Sequence, residues 1–245
     1  MEAKRKAAWL KFAEFAAMAV MSGIMIGLAG GACLLAIKHL GDWGRLIGAI
    51  LFSLAIFAII IFNMKLYTGM VSRIPSMSPK CWWSLVACFV FNVLGVAIVA
   101  VLLYFSPLGP VISPTAENLV AAKLDGEYWY LTCLCSSALC GFLITLSVLA
   151  PTYAPKHNLG ATFGVIMPII VFAFCGFDHS VANMLYFYLG ATLSWKLVGF
   201  IAISFVGNAL GGIILPLAIK LRKKAEEKSQ AAADEQSDNA DSGDK

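Results

Sequence analysis

Of the three histidines in this 245-residue chain, His179 alone lies deep within an apolar run, in the string GFDHSVANM from Gly176 to Met184. An imidazole has a reference pKa of ~6.5, so it can take up and release a proton near neutral pH. Asp178, Ser180 and Asn183 surround it with polar groups. A second polar string, Asn63, Lys65, Thr68 and Gly69, interrupts another apolar run in FNMKLYTGM. The chemistry on offer is proton exchange and not hydrolysis. There is no Gly-x-Ser-x-Gly elbow and no His-Glu-x-x-His pair, and Ser180 adjoins His179 directly, a placement that does not aim its hydroxyl at the ring. The seven cysteines sit in or beside apolar segments, where a thiol acts as a small hydrophobe. Cys133 and Cys135 point to different sides of one helix with no histidine at ligand spacing. Neither a metal site, nor a cofactor, nor an enzyme is expected.

The elements that must carry these residues follow from composition. At 60% hydrophobic, 13% charged and a mean hydropathy of +0.82, the chain is excluded from soluble domains, which are about 45–50% apolar and about 25% charged. Six apolar runs are long enough to cross a bilayer, approximately 15–37, 46–74, 82–105, 129–150, 160–192 and 196–219. They lack the alternating pattern of barrel strands, so they are read as helices, whose backbone is satisfied internally in lipid. Trp9, Trp43, Trp82, Trp83, Trp129 and Trp195 all fall at or near the ends of these runs, where indoles prefer the membrane interface.

The second and fifth runs are too long and too polar in the middle for plain spanning helices. Each reads as an apolar half-helix, a polar break and a second segment, and each is the central member of a three-helix half. Three spans per half put the halves in opposite orientation, so the breaks meet near the midplane, where irregular backbone is tolerated only against protein or a cavity. Gly23, Gly27 and Gly31 in the first run, and Gly207, Gly211 and Gly212 in the sixth, mark faces for close helix packing, within one protomer or between protomers.

Twelve lysines and arginines (Lys4, Arg5, Lys6, Lys11, Arg73, Lys80, Lys156, Lys220, Arg222, Lys223, Lys224, Lys228) fall on one side, against Lys38, Arg45, Lys123 and Lys196 on the other. The richer side, which holds both termini, is expected to be cytoplasmic, in a multi-pass protein of the cell membrane. The net charge of +4 restates this asymmetry and carries no nucleic-acid signal. The apolar run after the basic Met1–Lys11 is too long for a signal peptide and reads as the first crossing. The expected organisation is a basic N-terminal segment at 1–14, a pore domain at 15–220 and an unstructured tail at 221–245, polar and without an apolar face. Ser113-Pro114 is expected to start a short helix ahead of Lys123.

The strings KLYTGM (Lys65 to Met70), GFDHSVANM and GNALGG (Gly207 to Gly212) resemble the signatures of the formate/nitrite transporter family over residues 10–220. The resemblance implies an all-α membrane protein, six transmembrane helices in two inverted repeats with the second and fifth broken, and an aquaporin-like protomer in a homopentamer. Its cargo would be small monovalent anions of weak acids: formate by preference, with nitrite or hydrosulfide as alternatives. By the same resemblance, His179 is the central pore histidine, Phe52 and Phe172 form the outer constriction, and Ile56, Leu66 and Tyr67 contribute to the inner one. Thr68 faces the histidine, Asn183 belongs to the same polar break, and Lys123 draws anions into the outer vestibule. Two departures stand out: Lys65 replaces the family's usual acidic residue, and Ala138–Leu139–Cys140 replaces an asparagine that the fourth helix often presents to the histidine.

The physics of such a pore does not depend on the resemblance. A bare anion between apolar rings loses its hydration at a cost far above thermal energy, whereas the neutral acid does not. A lysine outside the ring and an imidazole within it would therefore give proton-coupled transport, or anion flow when the ring is charged. Charge attraction by Lys123 and Lys65 argues against a pore for neutral ammonia or water. Lys123, read as half-exposed, is expected to be replaceable without harm to folding.

Overall fold

The computed structural model describes residues 1–154 and 158–242, without the side chains of residue 158 and of residues 235–242. Lys156, counted above with the basic loops, lies outside them. Helices dominate and no strand occurs among the described residues: α1 (Glu2–His39), α2 (Gly44–Ile61), α3 (Tyr67–Met70), α4 (Trp83–Tyr104), α5 (Gly109–Leu124), α6 (Trp129–Tyr153), α7 (Asn158–Cys175), α8 (Ala182–Gly190) and α9 (Trp195–Ser242). Among the described residues, five helices have the length and hydropathy to cross a membrane, and α7 is apolar but shorter, Leu159–Cys175.

Two parallel helix pairs form the frame, and their glycines explain the pairing. A Cβ on Gly23 would overlap the Asn92 carbonyl and one on Gly95 the Val20 carbonyl, while Gly27 and Gly31 admit Val99 and Leu103; α1 and α4 thus meet backbone to backbone. The same holds for α6 and α9, where Gly141 abuts Asn208 and Gly211 abuts the Ala138 carbonyl. These glycines pack within the chain, which settles the choice left open by the sequence. Cys33 and Ile37, late in α1, line the same cavity as Trp129, Thr132 and Cys133, early in α6. The two pairs therefore run in opposite senses.

Two sequence expectations change. α9 continues as helix through Ser242, where composition had pointed to an unstructured tail from residue 221. No proline or glycine interrupts the chain between Pro216 and Ser242, Ala225, Glu226, Glu227 and Ala231–Ala233 are strong helix formers, and Arg222 pairs with Glu226 one turn on at 3.3 Å. The helix before Lys123 starts at Gly109 with Pro110 in its first turn, not at Ser113, whose hydroxyl is buried without a partner.

Candidate functional site

Both polar strings fold into the same local structure. Asn63 adopts φ 49° and Gly176 φ 74°, left-handed values that asparagine and glycine tolerate best. Behind Asn63, its own N–H donates to the Ile60 carbonyl and that of Met64 to Ile59; behind Gly176, its N–H donates to Ala173 and that of Phe177 to Phe172. This 5→2 and 6→1 pair is the Schellman stop, which satisfies the last carbonyls of α2 and of α7 without a side chain. The chain then runs extended, so Lys65 and Asp178 hold equivalent places, as do Leu66 and His179.

Each extended stretch is clamped by one buried asparagine. Asn92 of α4 accepts the Tyr67 N–H at 2.8 Å and donates to the carbonyls of Lys65 at 2.8 Å and Ala19 at 2.7 Å. Asn208 of α9 accepts the Ser180 N–H at 2.8 Å and donates to the carbonyls of Asp178 and Ser137, both at 2.8 Å. A primary amide offers two donors and an acceptor, which is what an unwound turn deprived of helix bonds needs.

Held this way, His179 is 1% exposed with both ring nitrogens occupied. The Ala182 N–H donates to Nδ1 at 3.0 Å, and Nε2 lies 2.9 Å from the Thr68 hydroxyl across the two breaks. Because Nδ1 accepts, the neutral ring carries its hydrogen on Nε2 and donates it to Thr68 Oγ1. Phe172 stacks on the imidazole with centroids 5.8 Å apart, and Phe52 meets Phe172 edge to face at 5.7 Å. Above this layer lies a cavity of about 440 Å³, which includes Phe52, Phe172, His179, Lys123, Asp178 and Asn183 in its wall. Lys123, in the last turn of α5, makes an ion pair with Asp178, and Asn183 Nδ2 donates to the same carboxylate oxygen at 3.0 Å. Below, a cavity of about 700 Å³ is lined by Ile56, Leu66, Lys65 and Arg73, among others. Phe52 and Ile56, one turn apart on α2, thus face opposite cavities.

A family model described as Formate/nitrite transporter matches residues 1–221. The chain belongs to this family. Among its relatives is the uncharacterized transporter YrhG of Bacillus subtilis, 28% identical over 220 residues, covering 78% of this chain and 80% of the relative. Formate channel FocA of Haemophilus influenzae is 25% identical over 185 residues, 65% of this chain and 63% of FocA. FocA of Escherichia coli K12 is 22% identical over 190 residues, 72% and 66% of the two chains. The fold matches a structure described as an FNT family ion channel at a TM-score of 0.75 and 21% identity, over 89% of this chain and 93% of that one. It also matches a pentameric formate channel with formate bound at 0.66 and 19%, over 92% and 99%.

Within this formate/nitrite transporter fold, the residues singled out from sequence do not all share one surface. His179, Phe52, Phe172, Lys123 and Asn183 line the cavity above the ring layer, labelled outer after the expected orientation, Ile56 and Leu66 the one below, labelled inner, and Thr68 joins the two breaks through His179. Tyr67 does neither: its ring stacks on Phe205 at 4.2 Å and its hydroxyl donates to the Phe205 carbonyl at 2.7 Å, so it anchors the inner break to α9. Lys123 is not the half-exposed side chain expected, because its side chain is 16% exposed and its charge is committed to Asp178. Sequence reasoning missed that pairing and both asparagine clamps. Asn208 had a visible signal, as a polar residue within GNALGG; Asn92, alone in an apolar helix, had the same one.

Proposed function

We propose that the chain is a pore for small monovalent anions of weak acids, formate first among them, and that His179 couples their passage to a proton. The observation that carries this reading is the buried His179–Thr68 contact, with Phe52, Phe172 and His179 in the wall of one cavity and Ile56 and Leu66 in the wall of the other. The names of its relatives point the same way. An anion leaving the outer cavity meets the Thr68 hydroxyl, whose hydrogen is left over because the oxygen already accepts from Nε2. That donor offsets part of the lost hydration, and protonation to the neutral acid removes the rest of the penalty. For the ring to hold a second proton, Nδ1 must release the Ala182 N–H. Coupling therefore begins when an anion's charge favours the imidazolium by more than that bond is worth. Lys123 keeps two of its three hydrogens for an anion in the outer cavity, although Asp178 offsets its charge.

The proposed assembly is a homopentamer with one pore per chain, six crossings with the second and fifth broken, a pore domain at 15–220, and both termini in the cytoplasm of a cell-membrane protein. Proteoliposomes offered formate, nitrite and hydrosulfide in competition at fixed pH test the substrate: formate flux is expected to lead, and a higher flux of either rival would reassign it. In the same vesicles, His179→Phe and His179→Asn are expected to flatten the pH dependence of flux while leaving passage. A parent-like profile across about two units either side of ~6.5 would make the ring structural.

A further inference from the structure

The two cavities carry different charge. Apart from His179, the tyrosine and the thiols, the charged side chains of the outer wall are Arg45, Lys123, Asp125 and Asp178, two of each sign. Those of the inner wall are Lys65 and Arg73, with no carboxylate among its lining residues. The contrast originates at one position, the second residue after the left-handed one, which is Asp178 in the outer break and Lys65 in the inner. Asp178 neutralises Lys123, whereas Lys65 makes no ion pair among the described residues, its ammonium donating only to the Asn63 carbonyl at 3.2 Å. The nearest acid on α1 by sequence to the bond between the Lys65 N–H and the Met18 carbonyl is Glu14, which is exposed and does not line the cavity.

From this we infer that the inner cavity is an anion-binding site in its own right, with Lys65 as its principal cation, and that the pore takes up anions more tightly from the Lys65 face than from the Lys123 face. The inference rests on the anion-pore reading. An ammonium with two hydrogens left over, on a partly buried residue that lines the same cavity as Leu66 and Ile56, attracts a carboxylate or another small monovalent anion. Arg73, exposed at the rim, adds to the field that concentrates anions there. The outer mouth, with its charges matched, lacks that excess.

The test is one-sided addition of formate to full-length protein in a planar bilayer at low ionic strength. The Lys65 face is identified by antibody access to a C-terminal tag, because Lys220 of α9 donates to the Pro75 carbonyl on that side. The half-saturating concentration is expected to be about three- to tenfold lower from the Lys65 face. Lys65→Met should abolish the difference and Lys65→Arg should preserve it. Should Lys65→Met fail to assemble, salt titrated on each side of the parent decides: uptake from the Lys65 face should fall more steeply. Equal half-saturation from both faces, or asymmetry persisting in Lys65→Met, overturns the inference while leaving the pore reading intact. A parent that passes neither formate, nitrite nor hydrosulfide from either face removes both.

Discussion

The inner and outer breaks share a backbone and differ in charge. Each follows a Schellman stop, each places an extended pair of residues against a buried asparagine, and each is packed onto a glycine-rich helix pair. Yet one presents Lys65 to an all-cationic cavity, and the other presents Asp178 to a lysine and an asparagine. The comparison teaches that the scaffold of the pore and its electrostatics are separable. Backbone geometry is set by the left-handed residue and the clamp, whose bonds go to main-chain groups. The intervening side chains can then change sign without unfolding the turn.

If that separation is right, the clamps should matter most and equally. Asn92→Ala and Asn208→Ala each strip three main-chain groups of their partner at about 1–3 kcal/mol apiece. Both are expected to lower stability by about 3–6 kcal/mol, read as a fall in the thermal midpoint in detergent. A large loss for one and none for the other would end the equivalence.

Lys123→Ala should follow, because it leaves Asp178 6% exposed without its cation. A broken buried pair costs about 3–5 kcal/mol. The double change Lys123→Ala with Asp178→Ala should recover part of that loss. If the single change left stability at the parental value, Lys123 would be a free vestibule cation after all.

The smallest effect sharpens the comparison at the left-handed residues. Gly176→Ala should cost about 1–2 kcal/mol, Asn63→Ala somewhat less, and Asn63→Gly should be neutral or slightly stabilising. Chemical-denaturant or thermal midpoints of the three proteins would rank them, and an Asn63→Gly loss as large as that of Gly176→Ala would mean that the Asn63 side chain does more than tolerate its φ.

Local properties of the chain determined a large part of this protein. Length and hydropathy gave the apolar helices, since spanning a bilayer is a requirement on consecutive residues. The polar strings in two over-long runs located the breaks, and His179 was legible as the one imidazole inside an apolar segment. What local pattern could not supply were partners distant in sequence. Thr68 meets His179 across 111 residues, Lys123 meets Asp178 across 55, and Asn92 and Asn208 bond segments 25 to 73 residues away. Such pairs depend on how helices cross, and crossing is decided by backbone approach at Gly23, Gly95, Gly141 and Gly211. That is why Lys123 read as half-exposed and Tyr67 as part of the inner constriction until packing set one against a carboxylate and the other against Phe205. The helical continuation to Ser242 had a local cause, a segment without proline or glycine that carries Ala225–Glu227 and Ala231–Ala233, which composition alone had masked. Tertiary structure alone decided which cavity is charged, because charge balance there is a sum over residues from helices far apart in the chain.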